Sequence, residues 1–199
     1  IGWSSDFGYA AVEPGVVETC ARAARVFEEM GCSVEESDLV LDSPFDAFWT
    51  LYTTVSYARS GRMLEDHADE LTWYGREVLE NGARTTGAET FSALGGLDVV
   101  KAQFAEQLQR YDLLLSPTMA TSAFNVGEHP KEIAGREVHP FWGFLPFTFP
   151  VNMAGLPAAS VPCGFDADGL PIGLHIIGRM GDEATVLAAS AAFEEARPW

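Results

Sequence analysis

The run Tyr111-Asp112-Leu113-Leu114-Leu115-Ser116 constrains this chain more than any other feature. Side chains alternate between the two faces of a strand, so three leucines in succession put apolar groups on both. A strand of this kind needs cover on each side, as in the interior of an α/β sheet. Pro117, which has no N–H to give a ladder, is expected to end it. Helices are available as cover. From Val16 to Met30 the apolar residues Val16, Cys20, Ala23, Ala24 and Phe27 recur at steps of three and four, Pro14 suits the entry, and Gly31 sits where a C-cap glycine belongs. Short apolar runs at Ile1–Trp3 and Cys32–Val34 flank that helix, giving a β-α-β unit with parallel strands and a right-handed crossover.

Further helices are expected at Phe45–Met63, at Leu71–Asn81 and at Asp98–Arg110, the last with Val99, Ala102, Phe104, Ala105 and Leu108 on its apolar side. The β-branched Thr53, Thr54 and Val55 disfavour the first of these, and the Gly- and Thr-rich stretch from Gly82 to Gly96 sets no clear helix boundary. Ala158–Phe165 and Leu170–Ile177 read as an antiparallel pair around the turn Asp166-Ala167-Asp168-Gly169. Asp182–Arg197 closes as a helix, with acidic residues at its positive end and Val186, Leu187, Ser190 and Phe193 on one face. The fold class is therefore α/β: a mixed β-sheet flanked by helices, with neither internal repeats nor low-complexity tracts.

From Thr118 to Val151 the pattern is different. Gly127, Pro130, Gly135, Pro140, Pro146 and Pro150 alternate with Phe124, Phe141, Trp142, Phe144, Phe147 and Phe149. A long irregular stretch this rich in aromatics is either a functional loop or an aromatic seal over the core, and the sequence favours the two equally.

Charge and cysteine content narrow the function. With 29 acidic and 12 basic residues the formal net charge is −17, so nucleic-acid backbones and anionic membranes are repelled, and neither is expected as a partner. No apolar stretch approaches the roughly 20 residues of a membrane span, which points to a soluble, cytoplasmic protein. Cys20, Cys32 and Cys163 are odd in number and lack CxxC spacing, as expected of reduced thiols. His67, His129, His139 and His175 form no HxH or HxxxH pair, so no metal or other cofactor is expected. The chain opens at Ile1 with no initiator Met and no signal-peptide pattern, and reads as starting partway through a protein.

A self-contained hydrolase needs a nucleophile, a base and an oxyanion site. Ser4-Ser5 is followed by no Gly-rich turn that could supply oxyanion donors and reads as structural. Ser160 and Cys163 fall within a strand expected to be buried, where a thiol is inert. His67 reads as exposed and His175 as a core or sheet-face residue, while His129 and His139 lie among the aromatics, within reach of a substrate.

The closing stretch from Pro146 to Trp199 resembles the C-terminal segment of the amidase signature family. Its parts run in that family's order: Thr148, then Asn152 four residues on, Gly155-Leu156-Pro157-Ala158, Ser160-Val161-Pro162, the Gly-Leu-Pro-Ile-Gly turn from Gly169, and an acidic final helix. Tyr111–Phe124 is similar to the family's buried strand and following loop, and Ile1–Pro14 to its central strand and loop. The resemblance implies that residues 1–199 are the C-terminal portion of a single α/β/α amidase domain. It further implies hydrolysis of carboxamide C–N bonds by a Ser-cisSer-Lys triad lying upstream, so that no catalytic residue falls in this chain and the chain alone is inactive. Thr148, Val151 and Asn152, with Leu145, Phe144 and Phe124, are the expected substrate-pocket residues, although Asn152 ahead of a Gly-Leu-Pro turn also suits a purely local role. The expected partners are a small-molecule amide and the N-terminal catalytic portion of the same protein, with a homodimer left open. In the A subunits of glutamyl-tRNA amidotransferases, which share this pattern, an acidic residue three positions before the Thr receives the glutamine ammonium; here that position is Leu145, which cannot pair a charge. The alternatives are a non-catalytic binding module and a tRNA-linked A subunit.

Overall fold

The computed structural model describes residues 1–42 and 44–198. The chain divides into two compact units, one comprising residues 1–42 and 102–199 and the other residues 43–101.

The larger unit is built on a five-stranded mixed sheet. In chain order it contains β1 (Gly2–Trp3), α1 (Pro14–Glu29), β2 (Glu35–Glu36), β3 (Leu113–Pro117), a two-stranded ribbon of β4 (Glu132–Ile133) and β5 (Arg136–Glu137), α6 (Thr148–Ala154), β6 (Ala158–Phe165), β7 (Pro171–Gly178) and α7 (Glu183–Ala196). The strand order is β2-β1-β3-β7-β6. β1 pairs parallel with β2 and β3, and β7 pairs antiparallel with β3 and β6. As the triple leucine requires, β3 lies inside the sheet and is buried along its whole length.

One face carries the main core. Val16, Cys20, Ala23, Ala24 and Phe27 of α1 are all buried, and they pack with Leu113, Leu115, Val161, Leu174 and Ile176 of the sheet and with Val186 and Phe193 of α7. Phe27 stacks on Phe193, with ring centroids 5.7 Å apart.

The departures from expectation have local causes. The strand expected at Cys32–Val34 forms later, at Glu35–Glu36, because the Cys32 N–H is used to cap α1, donating to the Phe27 carbonyl at 2.9 Å. Pro117 stays in the ladder opposite Leu174. The next N–H, that of Thr118, donates to Gly173 on the β7 side, so the nitrogen of Pro117 faces the side where β1 has already ended and no donor is needed. Leu187 is exposed, leaving Val186 and Phe193 as the buried residues of α7, and Asp182 is its N-cap, accepting from the Thr185 N–H.

The smaller unit is helical: α2 (Pro44–Ser60), α3 (Met63–Asp66), a 3-10 turn (Ala68–Glu70), α4 (Trp73–Arg84) and the first turns of α5 (Gly87–Arg110). Thr53 is fully buried in α2, so packing outweighs its poor helix propensity. The uncertain Gly82–Gly96 stretch is helical apart from Thr85-Thr86. Thr86 and Glu89 cap the start of α5 reciprocally, the Thr86 N–H donating to Glu89 Oε2 at 2.7 Å and the Glu89 N–H to Thr86 Oγ1 at 3.2 Å. The inward side of α5 is Val100, Phe104, Gln107 and Leu108, whereas Val99, Ala102 and Ala105 are exposed.

Candidate functional site

The aromatic stretch is more ordered than its composition suggests. β4 and β5 form a tight reversal through Ala134 and Gly135, both at positive φ, which is the geometry of a two-residue hairpin turn. The ribbon is tied to the loop after β1: Arg136 donates to the Tyr9 and Ala10 carbonyls at 2.9 and 3.0 Å, and Ile133 packs with Ala11 and Ala120. Tyr9 donates its hydroxyl to the Pro146 carbonyl, and burial pushes its ionisation well above the ordinary phenol range. Ser4, buried, accepts the Phe7 N–H at 3.0 Å.

Thr148, Val151 and Asn152 lie on a helix, α6, and not on a loop as expected. Two prolines, Pro146 and Pro150, obscure this in the sequence, yet Pro150 sits in the first turn, where its missing N–H costs nothing. Gly155 ends the helix in the left-handed conformation (φ 71°), which only glycine adopts readily. Phe147 anchors the entry, fully buried edge-to-face against Phe7 at 5.1 Å. Val151 points into the core and Asn152 is exposed; its backbone carbonyl accepts the Gly155 N–H. Thr148 is half-buried and donates to the Leu145 carbonyl at 3.4 Å, and Leu145 is itself half-buried.

Phe124 and Phe144 meet edge-to-face at 4.9 Å, and the rings of His129 and Phe141 join them. Phe124 also lines a cavity of about 220 Å³ with Met119, Ser122, Val16, Ile172 and Gly173. That is smaller than the roughly 300–1,000 Å³ of a complete ligand pocket, and is the size of a subsite. Phe124 thus lines this cavity with Phe144 packed against its ring, while Leu145, Thr148, Val151 and Asn152 cluster on α6 and just ahead of it. His139 serves the local turn, its Nδ1 accepting the Phe141 and Trp142 N–H groups at 3.2 and 3.3 Å.

A hydroxyl pair beside this cavity escaped sequence reasoning. Ser160 was expected in a buried strand, but β6 lies at the edge of the described sheet and Ser160 is exposed. Its Oγ is 2.7 Å from Thr118 Oγ1, and the pair sits over Gly173, where a Cβ would come within 2.6 Å of Ser160 Oγ. The only advance sign was a glycine within a strand, which marks close approach. Ser122 and three backbone N–H groups, those of Leu170, Asp168 and Gly169, hold Asp166 below the usual carboxylate range, tying the cavity wall to the β6–β7 turn. His175, at the register position between Ser116 and Ser160, is buried, and desolvation lowers its pKa to about 4. Among the described residues no cluster of three or more His, Cys, Asp and Glu could hold a metal ion, and no helix is long and apolar enough to cross a membrane.

The family model described as Amidase matches residues 1–187. The chain belongs to the amidase signature family. An acylamidase from Rhodococcus erythropolis is 31% identical over 206 residues, covering 100% of this chain and 42% of that protein. The A subunit of a glutamyl-tRNA(Gln) amidotransferase from Moorella thermoacetica is 36% identical, covering 98% of the chain and 44% of the relative. Among solved structures, a bacterial aryl acylamidase of the amidase signature family superposes with a TM-score of 0.88 at 29% identity, covering 100% of this chain and 43% of its own. The chain thus spans less than half the length of these amidase signature relatives, and the mixed sheet with flanking helices is theirs.

Proposed function

We propose that this chain forms one side of the amide-holding cleft of an amidase that hydrolyses carboxamide C–N bonds through a Ser-cisSer-Lys acyl-enzyme. The nucleophile, relay serine and lysine belong to protein outside these 199 residues. In this reading residues 1–199 are the C-terminal portion of one amidase domain, and the partner they require is the preceding portion of the same polypeptide. Phe124 and Phe144 supply an apolar wall for an aryl or alkyl group. Thr148 and Asn152 offer polar atoms on α6, and Val151 holds that helix against the core. The chain's contribution to rate is orientation of the scissile amide relative to a nucleophile it does not itself carry.

The observation that carries this reading is Phe124, braced edge-to-face by Phe144, on the wall of a subsite-sized cavity, in a chain 31% identical along its whole length to an acylamidase. A second reading, the A subunit of a glutamyl-tRNA amidotransferase, draws support from the 36% identity to the Moorella protein. Leu145 opposes it, because an aliphatic side chain ahead of Thr148 leaves a substrate ammonium without a counter-charge, at a cost of several kcal/mol. The test is an activity comparison on the complete polypeptide. Turnover of anilides and simple aromatic amides with little glutaminase activity supports the amidase; glutaminase activity that depends on partner proteins, with no anilide turnover, overturns it.

A further inference from the structure

Cys20 and Cys163 are 143 residues apart in sequence, yet their sulfurs lie 3.8 Å apart. Cys20 is fully buried on α1, whereas Cys163 is half-buried on β6. The register of β6 against β7 shifts between Pro162 and Gly164, so Cys163 is the extra residue of a β-bulge, a device that re-aims a side chain. Gly164 lets the strand approach closely, since a Cβ there would come within 2.7 Å of Thr19 Cγ2. Cys163 opens onto a cavity of about 520 Å³ whose walls include Arg22, Arg25 and Arg197 but one carboxylate, Glu29, which already pairs with Arg197 at 3.0 Å. On a chain of net charge −17, this is an anion-attracting recess beside a thiol pair.

We propose that Cys20 and Cys163 form a reversible disulfide by exchange with an anionic low-molecular-weight disulfide of the glutathione type, received in the Arg22–Arg25 recess. The thiolate of Cys163 attacks one sulfur of the incoming disulfide; that S–S bond breaks and one glutathione leaves as thiolate, taking up a proton. Cys20 then loses its proton and attacks Cys163 Sγ, releasing the second glutathione. Two protein thiols are oxidised and one small disulfide is reduced to two thiols. The order of attack follows from the site: Cys163 is the more accessible sulfur, and the Cys20 S–H it accepts, with Arg22 nearby, favours its thiolate, while that same hydrogen bond, and then burial, keep Cys20 protonated. The sulfurs must close from 3.8 Å to about 2.05 Å for the bond to form. The Cys20 sulfur also lies 3.6 Å from the Gly173 carbonyl oxygen, so the pair abuts the subsite lined by that residue.

The test uses the complete polypeptide in a Cys32→Ser background, treated with glutathione disulfide and mapped as peptides without reduction. The expected product joins the Cys20 peptide to the Cys163 peptide and is reversed by dithiothreitol. Cys20→Ala is expected to stop at a single glutathione adduct on Cys163, and Cys163→Ser to leave Cys20 unmodified. Arg25→Glu should slow the reaction with glutathione disulfide several-fold and leave the rate with uncharged hydroxyethyl disulfide unchanged. Absence of the cross-linked peptide overturns the proposed pair, as does modification of Cys20 before Cys163. Equal slowing by both reagents overturns the anionic seat.

Discussion

His175 sits in the middle of β7, buried, and its Nδ1 has no hydrogen-bond partner among the described residues. Its folded pKa of about 4 lies below the ordinary 6.5 of an unfolded chain, so the unfolded state binds the extra proton throughout the interval between them. Above pH 6.5 the imidazole is neutral in both states and adds no pH dependence. Stability is then lost progressively as pH falls from 6.5 toward 4, approaching about 3 kcal/mol in full. Between pH 7 and pH 5 the expected loss from this one residue is about 2 kcal/mol. Asp38, Glu89 and Asp166, whose carboxyls are held below the usual range by hydrogen bonds, contribute stability that is present above the unfolded carboxylate value and fails only as pH falls through their lowered values. Their effect therefore lies below the pH 7 to 5 window. Urea unfolding followed by circular dichroism at both pH values, for the parent and for His175→Leu, isolates the imidazole. The parent should lose about 2 kcal/mol and the variant should lose little. A variant with the parental slope would show that His175 is solvated or ion-paired, and the reasoning would fail.

Three further outcomes can be checked separately. Phe27→Ala removes a buried ring stacked on Phe193 and should cost about 3–5 kcal/mol by denaturant titration, against well under 1 kcal/mol for Leu187→Ala on the exposed side of α7. Gly82→Ala would drive a Cβ into the Thr53 carbonyl oxygen, far inside van der Waals contact, so α4 must move away from α2; a loss of about 1–3 kcal/mol is expected, measured the same way. Phe144→Ala should lower kcat/KM for an anilide about tenfold, equivalent to roughly 1.4 kcal/mol, while changing a small aliphatic amide much less.

Where burial decides structure, the sequence was a good guide. The leucines of β3 had to be covered on both faces, and the spacing of Val16, Cys20, Ala23 and Phe27 marked the helix that covers one of them. The hairpin of β6 and β7 was legible from its turn residues. What could not be read depended on partners distant in sequence. Ser160 looked buried because Ala-Ala-Ser-Val-Pro-Cys reads as a core strand; only the sheet order reveals that it stands at an edge, paired with Thr118. The helix bearing Thr148 and Asn152 was hidden by two prolines that are tolerated because both fall at its start. Val99 and Val100 are equally apolar, and which one faces inward depends on how the rest of the unit packs. The proposed pocket residues rest on family resemblance, since six residues of ordinary type carry no chemistry in their spacing.

The proposed division of labour, with the triad on protein outside these residues, can be tested by covalent labelling. The complete protein, treated with a serine-directed aryl phosphonate and digested, should lose activity with the label on a serine outside these residues. Label on Ser4, Ser5 or Ser160, or full activity from the 199-residue chain alone, would contradict the account.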